Sequence, residues 1–338
     1  MNNLKGYTDF EQKIFDFNNS AFTSLAREIF YFQYQYNPVY HRYVNTLGLL
    51  PEQVKNICQI PFLPVSFFKS QQVTTTTFEP VAIFESSGTT QTVSSKHFVK
   101  DLSLYRKSFL TGFEHFYGSV AGWCIIALLP SYLERNNSSL VVMADELIRQ
   151  SKHPQSGFYL NQYSELHDVL KDLERQGQKT ILIGVTFALL DFAEQYPMQL
   201  THTIIMETGG MKGRRQEITR AEVHDIIKKQ MGVKEVHSEY GMTELLSQAY
   251  SKHDGIFNCP GWIKVLVRDE DDPLTVHDAP GDGKVYALGA INIIDFANIY
   301  SCSFIATDDA GKLYADGSFE VMGRMDNSDI RGCSLMLI

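Results

Sequence analysis

Four short segments of this 338-residue chain combine hydroxyls, glycines, carboxylates and an aromatic ring in ways that suit an anionic ligand with a flat base. The first is Glu85-Ser86-Ser87-Gly88-Thr89-Thr90-Gln91. A strand ending in small, hydroxylated residues can curl its backbone N–H groups around an anion. Gly88 permits close approach, and Ser86, Ser87, Thr89 and Thr90 add hydroxyl donors, as a loop holding the outer phosphates of ATP would require. Alone, an ordinary Ser/Thr-rich turn explains it equally well, and it is not a Walker A loop, because G-x-x-x-x-G-K-[ST] is absent. The second segment, Glu239-Tyr240-Gly241-Met242-Thr243-Glu244, follows a strand-like run. Tyr240 offers a ring on which a purine can stack, and Thr243 a hydroxyl for an α-phosphate. Glu244 offers a carboxylate for Mg²⁺, a hard cation that takes carboxylate oxygens and keeps several waters. A strand-to-helix turn capped by Thr243 is the alternative, and the conjunction of ring, glycine, hydroxyl and acid weighs against it. The third segment is Thr208-Gly209-Gly210-Met211-Lys212-Gly213. Its paired glycines after a strand leave room for a ring or ribose where open α/β sheets bind ligands, although helix-entry turns look similar. The fourth is Thr307-Asp308-Asp309-Ala310-Gly311 with Gly323-Arg324 beyond it. An Asp can accept both ribose hydroxyls and an Arg can donate to the same sugar, but singly each reads as hairpin punctuation.

The elements that must carry these segments alternate. Helical spacing marks Phe10, Ile14, Phe15 and Phe17, then Ala21, Leu25, Ile29 and Phe32. The stretch Ile60–Lys69 is too Pro-rich for regular structure and reads as an ordered, aromatic-packed connection. Strands are expected at Val81–Glu85, Trp123–Leu129, Thr180–Gly184, Thr203–Glu207 and Val236–Tyr240. Helices are expected at Asp101–Tyr117 with Asp101 as N-cap, at Ser139–Gln150 and at Gln216–Met231. Strand–helix alternation predicts an α/β fold with a largely parallel core. Beyond Pro260, short runs at Trp262–Val267, Val285–Leu288, Ile291–Ile294, Phe304–Thr307 and Phe319–Met322, separated by Asp/Gly/Pro clusters, predict a β-rich subdomain of hairpins. The expected organisation is a helical segment 1–75, an α/β core 76–260 carrying the nucleotide motifs, and a β-rich subdomain 261–338.

Composition narrows the function classes. With 44% hydrophobic and 20% charged residues the chain is globular. A formal charge of −9 argues against a broad nucleic-acid surface but leaves room for a local anion site. Cys58, Cys124, Cys259, Cys302 and Cys333 are scattered, with no C-x-x-C pair, which fits reduced cytosolic thiols better than disulfides or zinc. Met1–Phe10 lacks a signal-peptide pattern and no apolar run is long enough to span a bilayer, so the expectation is a cytoplasmic protein without a membrane span.

In this order and spacing the four motifs resemble the adenylate-forming (ANL) superfamily. Ile60–Lys69, Ser86–His97, Leu129–Arg135 with Ser138-Ser139, Thr208–Arg214 and Arg331–Met336 resemble one branch more closely, the acyl-protein synthetases (LuxE-like fatty acid–luciferin-component ligases). The resemblance runs nearly the full length. It implies the large N-terminal domain of an adenylate-forming enzyme: mixed and parallel sheets with helices, plus a β-rich subdomain. It implies ATP and Mg²⁺ as cofactors. It implies activation of a fatty or other carboxylic acid to acyl-AMP, then transfer to a cysteine thiol. By the same resemblance, Ser86–Thr90 grip phosphates, Gly209, Gly210, Tyr240 and Gly241 frame adenine, Thr243 meets the α-phosphate, Glu244 the Mg²⁺, and Asp309 and Arg324 the ribose. Cys333 matches the acyl-carrying cysteine, whereas its local sequence reads as a buried core thiol. His97 reads either as an active-site group and candidate base or as a hydrogen-bonded strand residue, and His237 is a second candidate base. A fatty-acid or acyl-CoA reductase, or an acyl-carrier protein, is the implied partner. Two departures stand out: the chain stops at Ile338, before the family's mobile lid with its catalytic lysine, and Gln91 replaces a glycine of the phosphate loop. The alternatives are a CoA ligase related to phenylacetate–CoA ligase, and a nucleotide-binding partner subunit with little activity of its own.

Overall fold

The computed structural model describes residues 9–16, 21–86, 93–130, 137–209 and 218–325. They form two compact units. The first takes the chain up to Ser108, Met242–Ser247 and the chain from Asn258; the second takes Phe109–Gly241 and Gln248–Phe257.

The first unit begins with helices α1 (Phe10–Asp16), α2 (Phe22–Tyr36) and α3 (Pro38–Thr46). α2 buries Leu25, Ala26, Ile29, Phe30, Phe32 and Gln33, one face at helical spacing. The Asn37 carboxamide accepts from the Val39 and Tyr40 N–H groups and Pro38 occupies the first turn, which starts α3. The Pro-rich stretch is more regular than expected. It holds a two-residue strand, β1 (Leu63–Pro64), and a single-turn helix, α4 (Phe67–Ser70). The Tyr40 and Tyr43 hydroxyls donate to the Pro61 and Phe62 carbonyls, so side chains satisfy backbone that the prolines leave without a ladder. Strands β2 (Ala82–Glu85) and β3 (Lys96–Val99) pair antiparallel from Ala82–Val99 to Glu85–Lys96. Helix α5 (Leu102–Tyr117) follows, with Asp101 accepting the Ser103 N–H at 2.7 Å as its cap.

The second unit is the α/β part. Its elements are β4 (Cys124–Leu128), α6 (Ser139–Ser151), β5 (Gly157–Phe158), α7 (Tyr163–Gln176), β6 (Thr180–Gly184), α8 (Thr186–Gln195), β7 (Thr203–Glu207), α9 (Arg220–Met231), β8 (His237–Tyr240), β9 (Ala249–Ser251) and β10 (Ile256–Asn258). β5, β4, β6, β7 and β8 lie side by side and parallel, and β9 joins β8 antiparallel. β4 and β6 are buried along their whole length, the pattern of parallel strands covered on both faces. Thr219 and Glu222 form a capping box at the start of α9.

The first unit resumes with β11 (Ile263–Arg268), β12 (Val276–His277), β13 (Tyr286–Asp295), β14 (Phe304–Tyr314) and β15 (Phe319–Arg324). They form an antiparallel run in the order β12-β11-β13-β14-β15, with β1 parallel to β14. The two runs expected at Val285–Leu288 and Ile291–Ile294 are one strand with a register shift between Ala290 and Asn292. The segment Thr307–Gly311 is not a hairpin turn: β14 continues through it to Tyr314. Its pairing with β13 shifts register between Ala306 and Ala310, while on β15 Asp309 pairs with Arg324 and Ala310 with Gly323, and these partners outweigh the local turn chemistry of Asp308-Asp309. Phe304 sits at the centre of this core, its ring meeting those of Phe30, Tyr40 and Phe62. Among the described residues no helix is long and apolar enough to cross a membrane.

Candidate active site

In the second unit, two of the sequence motifs leave the carboxyl ends of adjacent parallel strands. β7 ends at Glu207 and runs into Thr208-Gly209; β8 ends at Tyr240 and runs into Gly241. Glu207 and Ser238 are direct neighbours across the ladder. Glu207 is 5% exposed yet remains ionised, its carboxyl drawn down to about 2. Burial, the largest influence, pushes it up; His224, Arg220, the Gly209 N–H and Thr186 together outweigh that push. The contacts are Thr186 Oγ1 at 2.9 Å, Gly209 N at 3.0 Å, Ser238 Oγ at 2.9 Å, Arg220 Nε at 3.3 Å and His224 Nε2 at 3.8 Å. Gly209 has φ +75, a left-handed conformation that favours glycine, and a Cβ there would meet nothing within 4 Å. The glycine is therefore needed for its backbone, and among the described residues nothing fills the space beside it. Tyr240 meets the Phe257 ring edge-on at 5.9 Å. Gly241 serves a different purpose: a Cβ would lie 2.5 Å from Glu239 Oε1, so Glu239 occupies the volume a side chain would need.

In the first unit, Thr243 and Glu244 lie in the segment Met242–Ser247, which side chains from elsewhere in that unit hold in place. His97 is 1% exposed and its Nδ1 is 2.9 Å from the Thr243 carbonyl oxygen, which can only accept, so Nδ1 carries the proton. Burial lowers the His97 pKa to about 4, and the ring lies edge-on to Phe68 and Phe84. Asn298 Nδ2 donates to the Glu244 carbonyl at 2.8 Å. Asp295, fully buried, accepts from Leu246 N at 2.8 Å, Ser247 Oγ at 2.6 Å and Ala297 N at 3.0 Å. The Glu244 carboxyl is 5% exposed; burial pushes its pKa up, against a Ser95 hydrogen bond and the positive charges of Arg324 and Lys69. Such a carboxylate gains from an added cation. Among the described residues no group of three or more His, Cys, Asp or Glu could hold a metal ion. Asp309 and Arg324 stand opposite each other on β14 and β15, with Nε 3.9 Å from Oδ1. Thr307 Oγ1 accepts the Asp309 N–H at 3.1 Å, and Arg268 Nη2 grips the Thr307 carbonyl at 2.7 Å.

A family model described as acyl-protein synthetase, LuxE, matches residues 15–338. The chain belongs to the acyl-protein synthetase family. It is also 24% identical over 342 residues to the long-chain-fatty-acid–luciferin-component ligase of Aliivibrio fischeri, covering 93% of this chain and 86% of that one. Among solved structures, it resembles 2-hydroxyisobutyryl-CoA ligase in its post-adenylation state, in complex with R3-HIB-AMP, at TM-score 0.65 and 12% identity over 91% of this chain and 68% of that one. The ATP-bound MatB of Rhodopseudomonas palustris matches at TM-score 0.51 and 17% identity over 72% of this chain, which spans about half, 48%, of that protein. These structures show that the acyl-protein synthetase has the fold of adenylate-forming enzymes.

Within this family member, Thr243, Glu244, His97, Asp309 and Arg324 belong to one unit, and Gly209, Tyr240 and Gly241 to the other. Ser86 follows β2, and its Oγ accepts the Ser95 N–H at 2.9 Å. Ser87, Gly88, Thr89, Thr90, Gly210 and Cys333 lie outside the described residues. His237, the other candidate base, sits in the second unit, 3.1 Å from the Tyr117 hydroxyl, its pKa lowered by burial to about 4. Sequence reading missed the residues that hold the motifs: Glu207, Arg220, Asp295, Asn298 and Arg268. One signal was available for Glu207, an acid closing the otherwise apolar strand Thr203–Glu207. None marked Asp295 or Asn298, whose partners lie 48 to 54 residues away.

Proposed function

We propose that this acyl-protein synthetase uses ATP to activate a fatty acid and passes the acyl group to a cysteine thiol. An oxygen of the carboxylate attacks the α-phosphorus, the bond to the bridging oxygen breaks, and pyrophosphate leaves with its electron pair, giving acyl-AMP. A thiolate then attacks the acyl carbon, AMP leaves, and a thioester remains. Both reactants of the first step are anions, so the protein's task is orientation and charge neutralisation. Glu244 would hold Mg²⁺, whose charge offsets that of the phosphates. Asp309 accepts from the ribose hydroxyls and Arg324 donates to the same sugar, while Tyr240 and the Gly209 backbone receive the adenine. Gly210, Ser86–Thr90 and Thr243 complete the nucleotide contacts. His97, neutral and bound to the Thr243 carbonyl, orients the Thr243–Glu244 backbone.

The observation that carries this reading is the placement of Gly209 and Tyr240 at the ends of adjacent parallel strands, in a chain of this family. The name of the Aliivibrio relative supports a long-chain fatty acid, and the family description, acyl-protein synthetase, supports a protein acceptor. The thiols bear on the acceptor. Burial pushes Cys58 and Cys124 up to about 11, and Cys259 and Cys302 up to about 12, so each is almost wholly un-ionised at neutral pH and a poor nucleophile. We assign the acceptor role to Cys333, the position marked by the family resemblance, or to a thiol on a partner reductase or carrier protein. The test is exchange of labelled pyrophosphate into ATP in the presence of fatty acids, with intact-mass measurement of the protein. The wild type should exchange, Glu244→Ala should lose about 100-fold or more, and an acyl adduct should form and vanish in Cys333→Ser. Exchange that survives Glu244→Ala would refute the assignment, and a product found only on free coenzyme A would refute the acyl-protein step.

A further inference from the structure

The buried carboxylate of Glu207 connects two of the nucleotide motifs. Oε2 accepts the N–H of Gly209 and the hydroxyl of Thr186; Oε1 accepts from Ser238 Oγ and Arg220 Nε. The Gly209 carbonyl in turn accepts the Thr186 N–H at 3.0 Å, so both polar groups of this left-handed glycine are fixed. On the other side, the Arg220 guanidinium lies 5.2 Å from the centre of the Phe257 ring, and Phe257 meets Tyr240 at 5.9 Å with the rings inclined by 62°. A planar cation stacked on one ring fixes that ring against its neighbour. Every one of these residues lies in the second unit.

We propose that Glu207 and Arg220 are positioning residues which hold the Gly209 turn and the Tyr240 ring as one platform for the base of the nucleotide. The assignment rests on the reading that Gly209 and Tyr240 frame adenine. Glu207 bonds the Gly209 turn directly and reaches Tyr240 through Arg220 and Phe257, and four of its donors come from β8, α9, α8 and the turn after β7. An amide in its place has one acceptor oxygen and one donor nitrogen, so it can satisfy the Gly209–Thr186 side or the Ser238–Arg220 side but not both. A lysine in place of Arg220 keeps the charge and loses the plane that stacks on Phe257.

The experiment measures KM for ATP and kcat in pyrophosphate exchange for the wild type, Glu207→Gln, Arg220→Lys and the double variant, with thermal melting of each. Each single variant should raise KM for ATP by about tenfold, with kcat at saturating ATP within about threefold, because the platform binds the base far from the reacting phosphorus. The double variant should be no worse than the weaker single, since both act through one contact chain. A general structural role would instead lower melting temperature and active fraction without moving KM. Should Glu207→Gln fail to fold, Arg220→Lys, whose side chain is 31% exposed, carries the same test. Unchanged KM in an active Arg220→Lys would overturn the assignment alone, leaving the activity standing. A wild type that neither exchanges pyrophosphate nor binds ATP would overturn the activity and this assignment with it.

Discussion

Glu239 provides the most quantitative consequence of the site's electrostatics. It lies on β8 between Ser238 and Tyr240, 9% exposed, and its carboxyl is pushed from the ordinary 4.5 up to about 8, first by burial and second by the negative charge of Glu207. Below pH 4.5 the group is protonated in both folded and unfolded chains and contributes no difference. Between 4.5 and 8 the unfolded chain releases the proton while the folded chain keeps it, so stability falls as pH rises. Above about 8 both forms are ionised and the loss is complete. Three and a half pH units at 1.36 kcal/mol each set a ceiling of about 5 kcal/mol. Glu239→Gln substitutes an amide of the same shape as the protonated acid and cannot ionise, so it removes this slope. Urea unfolding of the two proteins at pH 5, 7 and 9 isolates the effect, because every other titrating group is shared and cancels in the difference. The two should agree within about 1 kcal/mol at pH 5, and the variant should be the more stable by several kcal/mol, up to about 5, at pH 9. A difference that stays flat from pH 5 to pH 9 would show that Glu239 is ionised in the folded protein and that the account of its burial is wrong.

Two further substitutions probe how the motifs are held. Gly241→Ala drives a Cβ to 2.5 Å from Glu239 Oε1, and relieving that contact should reduce stability by about 1–3 kcal/mol in denaturant unfolding; the loss should shrink in a Glu239→Ala background. Unfolding midpoints equal to wild type would mean that the carboxyl moves aside freely. Asp295→Ala leaves Leu246 N, Ser247 Oγ and Ala297 N without their acceptor, which at about 1 kcal/mol or more each should remove about 3 kcal/mol of stability and lower pyrophosphate exchange through the adjoining Glu244. Full activity in a destabilised Asp295→Ala protein would show that the Glu244 segment is held by other contacts.

The parts of this molecule that depend on nearest neighbours in sequence were legible before any coordinates. Apolar runs such as Cys124–Leu128 and Thr180–Gly184 are strands because nothing in them can face water, and Asp101 caps α5 because its carboxylate sits two residues ahead of an unpaired N–H. The pairing of Asp309 with Arg324 was legible as two candidate ribose contacts, though not as neighbours on antiparallel strands. What failed was local turn chemistry set against a long ladder. Thr307–Gly311 carries the residues of a turn and yet lies mid-strand, because Ala310 and Gly311 pair with Ala290 and Gly289 on one side, and Asp309, Ala310 and Gly311 with Arg324, Gly323 and Val321 on the other, partners that a turn would forfeit. The same reasoning explains Leu63–Pro64, where Ile305 and Ala306 supply a parallel partner to a segment too rich in proline to pair with itself.

Charge state was the least legible property, and Glu207 and Glu239 show why. Both close or nearly close a buried strand, both are nine-tenths or more buried, and their flanking sequences do not distinguish them. Burial pushes both carboxyls upward, so burial cannot decide between them. The difference lies in the donors. Glu207 faces Thr186, Ser238, Arg220, His224 and the Gly209 N–H, drawn from positions 21 residues before it to 31 after it, and these hold it ionised. Glu239 faces that same negative charge and keeps its proton. Two carboxylates that repel each other in a low-dielectric interior favour a single charge between them, and the fold assigns it to the strand whose end must grip a glycine backbone. A sequence lists the acids; only the convergence of donors around one of them decides which is the anion, and therefore which can fix the turn on which a nucleotide base would rest.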